Sequence, residues 1–189
     1  MTIFDASLFH DPRGQHTQAH AAMPTPWGGA DCCYRPAMFE IFVDADACPV
    51  KDEVYAVAAR HGLYVTVVAN AWMRVPEGLG IEVVVVDQGP DAADDWIAEH
   101  VRGDDIVVTA DIPLAARCLE VGARVIGTSG VPFSEDSIGG ALAGREIAAE
   151  QRSAGLTTGG PRPLSARDRS RFSGALEQMV QASLRSVGA

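Results

Sequence analysis

Residues 39–51 read Phe39-Glu40-Ile41-Phe42-Val43-Asp44-Ala45-Asp46-Ala47-Cys48-Pro49-Val50-Lys51, and this stretch decides the fold. Phe39–Val43 is an apolar run of strand length, too short for a buried helix. It ends in two carboxylates one residue apart. Pro49, with its fixed φ and no N–H to leave unpaired, suits the first turn of a helix running to His61 and closed by Gly62. A buried strand, an acidic turn and a helix together form the opening unit of a parallel α/β sheet.

Downstream the same unit recurs. Tyr64–Ala69, Ile81–Val86, Ile106–Thr109 and Ala123–Ile126 are apolar runs rich in β-branched residues. Helical patterns at Asp91–Val101 and Pro113–Glu120 separate the later ones. Near-continuous Val/Ile strands alternating with helices predict a parallel sheet buried on both faces. The expected fold is therefore α/β and three-layered: a mostly parallel five-stranded sheet with helices on both faces, plus C-terminal helices. Ser134–Gln151 is predicted helical with Ser134 as N-cap. A Gly/Pro-rich linker spans Gly155 to Pro163, and Ser165-Ala166-Arg167-Asp168 opens a last helix in near capping-box form.

The first 37 residues differ. His10, His16, His20, Pro12, Pro24, Pro26 and Gly28-Gly29 show no sustained period, which predicts a disordered extension. Met38, one residue before the first strand, is the expected biological start. The expected organisation is an extension at 1–37, an α/β domain at 38–152, and a linker with a C-terminal helix packing on that domain at 153–189.

The chain has 189 residues, 47% of them apolar and 21% charged, which suits one domain with a sizeable core. No apolar run approaches a membrane span, and no basic flank precedes an apolar stretch at the N-terminus. The expected setting is the cytoplasm, with no membrane partner. Cys32, Cys33, Cys48 and Cys118 form no CxxC pair and have no histidine at zinc spacing. They are read as reduced thiols, without structural zinc or disulfides.

Charge is unevenly placed. Residues 38–144 hold six basic and eighteen acidic groups, whereas residues 145–189 hold seven basic and four acidic ones. So acidic a body argues against nonspecific duplex binding by charge. It favours a cation, because clustered carboxylates repel one another unless something neutralises them.

The acids fall where open parallel sheets bind ligands, beyond the carboxyl ends of the strands. Asp44 and Asp46 follow strand one, Asp87 strand three and Asp111 strand four. Strands one and four are commonly neighbours in doubly wound sheets, so Asp44 and Asp111 are expected to face each other. Asp91, Asp94 and Asp95 share the first turn of the next helix. For Asp94 and Asp95, helix capping or solvation competes evenly with function, and Asp87, Asp104 and Asp105 read as loop or cap residues. Carboxylates converging from several strands suit Mg²⁺ or Mn²⁺, hard ions that can activate water beside a phosphate. Asp44 and Asp111 are the expected ligands, with Asp46 in support, while the positions alone leave the choice among Asp91, Asp94 and Asp95 open. Asn70, Arg74, Arg167, Arg169 and Arg171 are the expected substrate contacts, with Arg145 a further phosphate candidate. Cys48 reads as a small buried thiol, His61 as a helix-end dipole partner, and Trp72 and Trp96 as core.

These motifs resemble a known family. Val43-Asp44-Ala45-Asp46-Ala47-Cys48-Pro49-Val50-Lys51, Val68-Ala69-Asn70, Gly89-Pro90-Asp91-Ala92-Ala93-Asp94-Asp95, Thr109-Ala110-Asp111-Ile112-Pro113-Leu114-Ala115, Gly159-Gly160-Pro161 and Arg167-Asp168-Arg169-Ser170-Arg171-Phe172 look like the YaiI/YqxD family of uncharacterised bacterial proteins. In layout that family resembles the PIN-like and NYN nucleases. The resemblance implies Mg²⁺ or Mn²⁺ and cleavage of an RNA phosphodiester. It makes Asp44, Asp91 (with Asp95 one turn on) and Asp111 the catalytic acids and metal ligands, with Asp46 and Asn70 auxiliary, Asp46 beside the metal.

Three functions follow from this reading. The first is a metal-dependent nuclease acting on single-stranded RNA. The second is a module that binds RNA or a nucleotide without turnover. The third is a haloacid-dehalogenase-like phosphatase in which Asp44 is a covalent nucleophile and Asp46 its acid/base partner. That class also needs a Ser/Thr after a second strand and a placed lysine, whereas strand two here ends in Ala69-Asn70 and Lys51 is the only lysine.

Overall fold

A computed structural model describes residues 39–46, 48–78, 80–86, 89, 91–153 and 163–187. The expected N-terminal extension, the start at Met38, Asp87 and most of the Gly/Pro linker lie outside the described residues. The elements are β1 (Ile41–Asp44), α1 (Lys51–His61), β2 (Val65–Ala69), β3 (Ile81–Val85), α2 (Ala92–His100), β4 (Ile106–Val108), α3 (Ile112–Glu120), β5 (Arg124–Ile126), β6 (Pro132–Phe133), α4 (Glu135–Ser153) and α5 (Ala166–Val187). The fold is α/β, a mostly parallel sheet with helices, as the alternation of strands and helices predicts.

Strand order is β3-β2-β1-β4-β5-β6. β1 is central and wholly buried, with Ile41 opposite both Val65 of β2 and Ile106 of β4. Strand alternation sends Ile41 and Val43 to one face, where α1 and the fully buried Phe172, Leu176 and Val180 of α5 cover them. Phe42 points to the other face, against Ile97 of α2 and Leu114 and Cys118 of α3.

The expectation of five strands is corrected to six. β6 is two residues long and antiparallel to β5, and an element that short carries no periodicity to read. It follows a tight turn in which the Gly130 N–H donates to the Gly127 carbonyl at 2.8 Å. Gly130 has φ +80°, and a Cβ there would meet Phe172 Cα at 2.9 Å, so the turn admits only glycine. Pro132 is tolerated because β6 lies at the sheet edge.

The helix ends follow from local chemistry. Gly62, in the left-handed region, closes α1 as expected. Ser134 Oγ accepts the Ser137 N–H and caps α4. At α5 the pairing is reciprocal: Asp168 N–H donates to Ser165 Oγ (3.2 Å) and Ser165 N–H to Asp168 Oδ2 (3.0 Å). Asp105 is a loop clasp, as read, accepting the N–H groups of Glu40 (2.9 Å) and Arg102 (2.8 Å).

Three minor expectations change. Trp72 is not core: it is 76% exposed, because it lies in the loop after β2 and no helix covers it. Trp96 is partly buried, tilted against Phe42 and stacked on His100 at 3.8 Å. His61 pairs with Glu177 of α5, which also binds Arg60 at 2.8 Å; it pins two helices together rather than only facing its own helix end.

Candidate acidic site

The central strand delivers Asp44 to a particular face. By alternation it points the same way as Phe42, towards α2 and α3. Thr109, two residues past Val107 on β4, shares that face. Asp44 is 5% exposed and Thr109 fully buried. The Thr109 hydroxyl donates to Asp44 Oδ2 at 2.9 Å and accepts the Asp111 backbone N–H at 2.9 Å. Asp111 then caps α3, its Oδ1 accepting the Leu114 N–H at 3.0 Å.

Strand order explains this meeting. β1 lies between β2 and β4, so the chain leaves it towards one side of the sheet and later returns to the other. Crossovers on opposite faces open a crevice at the carboxyl ends of β1 and β4. α2 and α3 flank it. Asp91, Asp94, Asp95, Asp111, Arg117 and Arg145 line a cleft of about 390 Å³ there.

Its electrostatics are those of crowded like charges. Burial raises the Asp94 carboxyl, and the neighbouring charges of Asp111, Asp44 and Asp91 add to it against Arg117, bringing it to about 6. Asp44 is also raised, first by burial; hydrogen bonds from Thr109 and the Asp46 backbone oppose this, and Asp46 and Asp111 reinforce it. Two arginines offset the charge at the rim. Arg117 binds Asp95 at 2.7 Å and Arg145 reaches Asp111 at 3.4 Å.

Asp44 and Asp111 are thus tied together through Thr109; Asp111 and Asp91 line the cleft, whereas Asp44 lies buried outside its lining. Asp91 precedes α2 with φ +64° and makes no side-chain cap, leaving its carboxylate for the cleft. Asp95 is tied to Arg117. Asp46 is exposed beside Asp44 and does not line the cleft. Asn70, at the end of β2, has a buried Oδ1 without a hydrogen-bond partner. The other expected substrate contacts lie elsewhere. Arg74 lines a separate cavity. Arg169 binds Glu53 and the Pro49 carbonyl, and Arg171 pairs with Asp168. α5 packs on α1, across the sheet from α2 and α3.

Three participants go beyond the expected set. Asp94 rather than Asp95 carries the strained charge, Arg117 is a rim cation, and Thr109 joins the two central aspartates. Cys48 is a buried thiol pushed up to about 11 by burial, and Cys118 one pushed up to about 12, so neither is a nucleophile at neutral pH.

Among the described residues, no group of three or more His, Cys, Asp or Glu side chains is arranged to hold a metal ion. A Mg²⁺ ion does not require one. It keeps several waters and commonly takes one or two carboxylates, with substrate phosphate completing its shell. The all-oxygen donors and their mutual repulsion suit such an ion.

The sequence pattern described as "Uncharacterized BCR, YaiI/YqxD family" matches residues 42–182. A UPF0178 protein of Rhodopseudomonas palustris (strain BisB5) is 58% identical over 146 residues, 77% of this chain and 89% of its own length. UPF0178 proteins of a Bradyrhizobium species and of Nitrobacter winogradskyi are 54% and 53% identical, over 77% and 79% of this chain and 88% and 95% of theirs. No solved structure matches. The extent and identity of these matches place the chain in the YaiI/YqxD family, to which it belongs.

Proposed function

We propose that this YaiI/YqxD family member is a divalent-cation-dependent nuclease, with water attacking a phosphodiester of single-stranded RNA in the cleft between α2 and α3. One observation carries the reading. Asp44, Asp94 and Asp111 come from three different elements, yet they gather at one sheet edge, where burial first and the charges of Asp111, Asp44 and Asp91 after it raise Asp94 to about 6. Charge held together at this cost is a mark of functional sites.

Asp111 and Asp94 would hold a Mg²⁺ or Mn²⁺ ion that keeps several of its waters, with Asp91 beside them at the cleft and Asp44 behind. When bound, that ion supplies a lowered pKa for coordinated water and charge stabilisation on the phosphate oxygens. The chain's own residues do the rest. Thr109 fixes Asp44 and the Asp111 backbone in one frame. Arg117 and Arg145 sit at the cleft, where guanidinium groups attract and orient a phosphate. Moving Arg145 from Asp111 to a substrate phosphate frees one carboxylate oxygen. Partial burial keeps these interactions stronger than they would be in open water.

The phosphatase reading loses support from the same geometry. A covalent aspartyl nucleophile must meet its substrate, whereas Asp44 is almost fully buried and hydrogen-bonded. Lys51, the only lysine, donates to the Ala45 carbonyl at 2.9 Å.

Incubation of single-stranded RNA with the protein and Mn²⁺ tests the proposal. Cleavage is expected, with loss in Asp111→Asn and Asp44→Asn variants. RNA binding without cleavage under Mg²⁺, Mn²⁺ or Ca²⁺ would leave a binding module in its place.

A further inference from the structure

A second cavity, of about 340 Å³, lies between the start of α1 and the loop that follows β2. Lys51, Asp52, Tyr55, Met73 and Arg74 line it. Two cations and a phenol thus face one carboxylate, in a body whose charge is otherwise strongly acidic. Directly before Met73 stands Trp72, 76% exposed. Its indole, one residue from the cavity lining, therefore presents a free aromatic face and a polar N–H to solvent. Among the described residues, Arg74 has no ion-pair or hydrogen-bond partner.

The cavity adjoins the acidic site through the chain itself. Lys51 Nζ holds the Ala45 carbonyl, and Ala45 follows Asp44. Arg74 lies in the loop after β2, Asp44 ends β1, and Asp111 follows β4; these three strands are adjacent. A path from the cavity to the acidic cleft therefore crosses two strand spacings, roughly 10 Å along the sheet edge.

We propose that Trp72 and the Lys51–Arg74 cavity form a subsite for a flanking nucleotide of single-stranded nucleic acid. Trp72 stacks on a base, and Arg74 and Lys51 meet the adjoining phosphate. An exposed aromatic beside a cationic groove is how single strands are held without sequence preference, because every unstacked base offers a face. A duplex offers none, and the acidic body repels its denser charge. This inference rests on the acidic cleft being a phosphodiester site.

Fluorescence anisotropy of a short fluorescein-labelled oligouridylate, titrated with the full chain in EDTA, isolates binding from cleavage. Trp72→Ala and Arg74→Ala should each weaken binding about tenfold, whereas Trp72→Phe should retain most of it. The same sequence as a duplex should bind more weakly than the single strand. Unaltered affinity in both alanine variants, or no binding by the unaltered protein, overturns the subsite. Cleavage with Mn²⁺ is scored separately. Cutting by the unaltered protein, with normal binding by the alanine variants, removes the subsite and leaves the nuclease. Trp72-dependent binding without cutting under any metal removes the nuclease and keeps the subsite.

Discussion

The Thr109 hydroxyl donates to Asp44 Oδ2 while accepting the Asp111 backbone N–H, both at 2.9 Å. One buried side chain therefore ties the end of β1 to the start of α3, which are 65 residues or more apart in sequence. A hydroxyl is the smallest group that can do both, since it donates once and accepts as well.

Replacing Thr109 with valine keeps the shape and removes both bonds. The Asp44 carboxylate loses a donor and the Asp111 N–H loses its acceptor, in a place that water does not reach. The expected cost is about 1–3 kcal/mol of stability, measured by urea denaturation, with RNA cleavage falling in parallel. Thr109→Ser, which keeps the hydroxyl, should restore most of both. A valine variant as stable and as active as the original would show that the tie contributes nothing.

Asp94 gives a pH signature with a definite sign. Its carboxyl is raised from 3.8 to about 6 on folding, so between those values the folded state binds more protons than the unfolded state. Stability should therefore fall as pH rises from about 4 to about 6, and the penalty is complete above that. Two units correspond to about 3 kcal/mol in full, reduced to about 1 kcal/mol by solvent screening of a half-exposed group. Asp94→Asn should flatten this part of the profile and be the more stable protein at neutral pH. Equal slopes for the two proteins would contradict the assignment.

Much of this was legible in the sequence, and the reasons differ by residue. Asp44 and Asp111 directly follow apolar strands, so strand alternation and the rule for parallel sheets locate both. The place of Asp94 is encoded in the pattern of α2. In α2 the buried residues are Ala93 and Ile97, with Val101 beyond. At about 100° per residue, Asp94 lies roughly 60° from the centre of that stripe and Asp95 roughly 160°. Asp94 therefore borders the core while Asp95 faces out to Arg117. Spacing alone, which treats i+3 and i+4 as equal neighbours of Asp91, does not separate them. Arg117 and Arg145 meet the cleft only because α3 and α4 pack together, a contact no local pattern encodes. The α5 arginines mislead for the converse reason: the apolar side of that helix binds the α1 face, and the charge goes with it.

The proposed cation has a readout independent of catalysis. A ligand that binds only the folded state stabilises it by mass action, about 2.7 kcal/mol at a hundredfold excess over Kd. Mn²⁺ should raise the unfolding temperature in a concentration-dependent way, and EDTA should reverse the rise. Asp111→Asn and Asp94→Asn should each lose most of the shift, whatever their own baseline stability. A protein whose unfolding ignores Mg²⁺ and Mn²⁺ alike has no such site.

Two glycines separate backbone constraint from mere smallness. Gly130 combines φ +80° with the Phe172 backbone 2.9 Å from where a Cβ would sit, and Phe172 is a fully buried anchor of α5. Neither backbone can yield cheaply, since the β5–β6 turn is hydrogen-bonded on one side and α5 is seated on α1 on the other. Gly130→Ala should cost about 1–3 kcal/mol or more, with release of α5 visible as early proteolysis near residue 172. Gly140 lies within α4 with nothing within 4 Å of its Cβ position. There alanine removes only chain entropy from the unfolded state, and Gly140→Ala should stabilise by about 0.5–1 kcal/mol. Opposite signs are expected in the same urea titration. Two changes of the same sign would mean that the close approach of Gly130 to Phe172 does not govern how α5 docks.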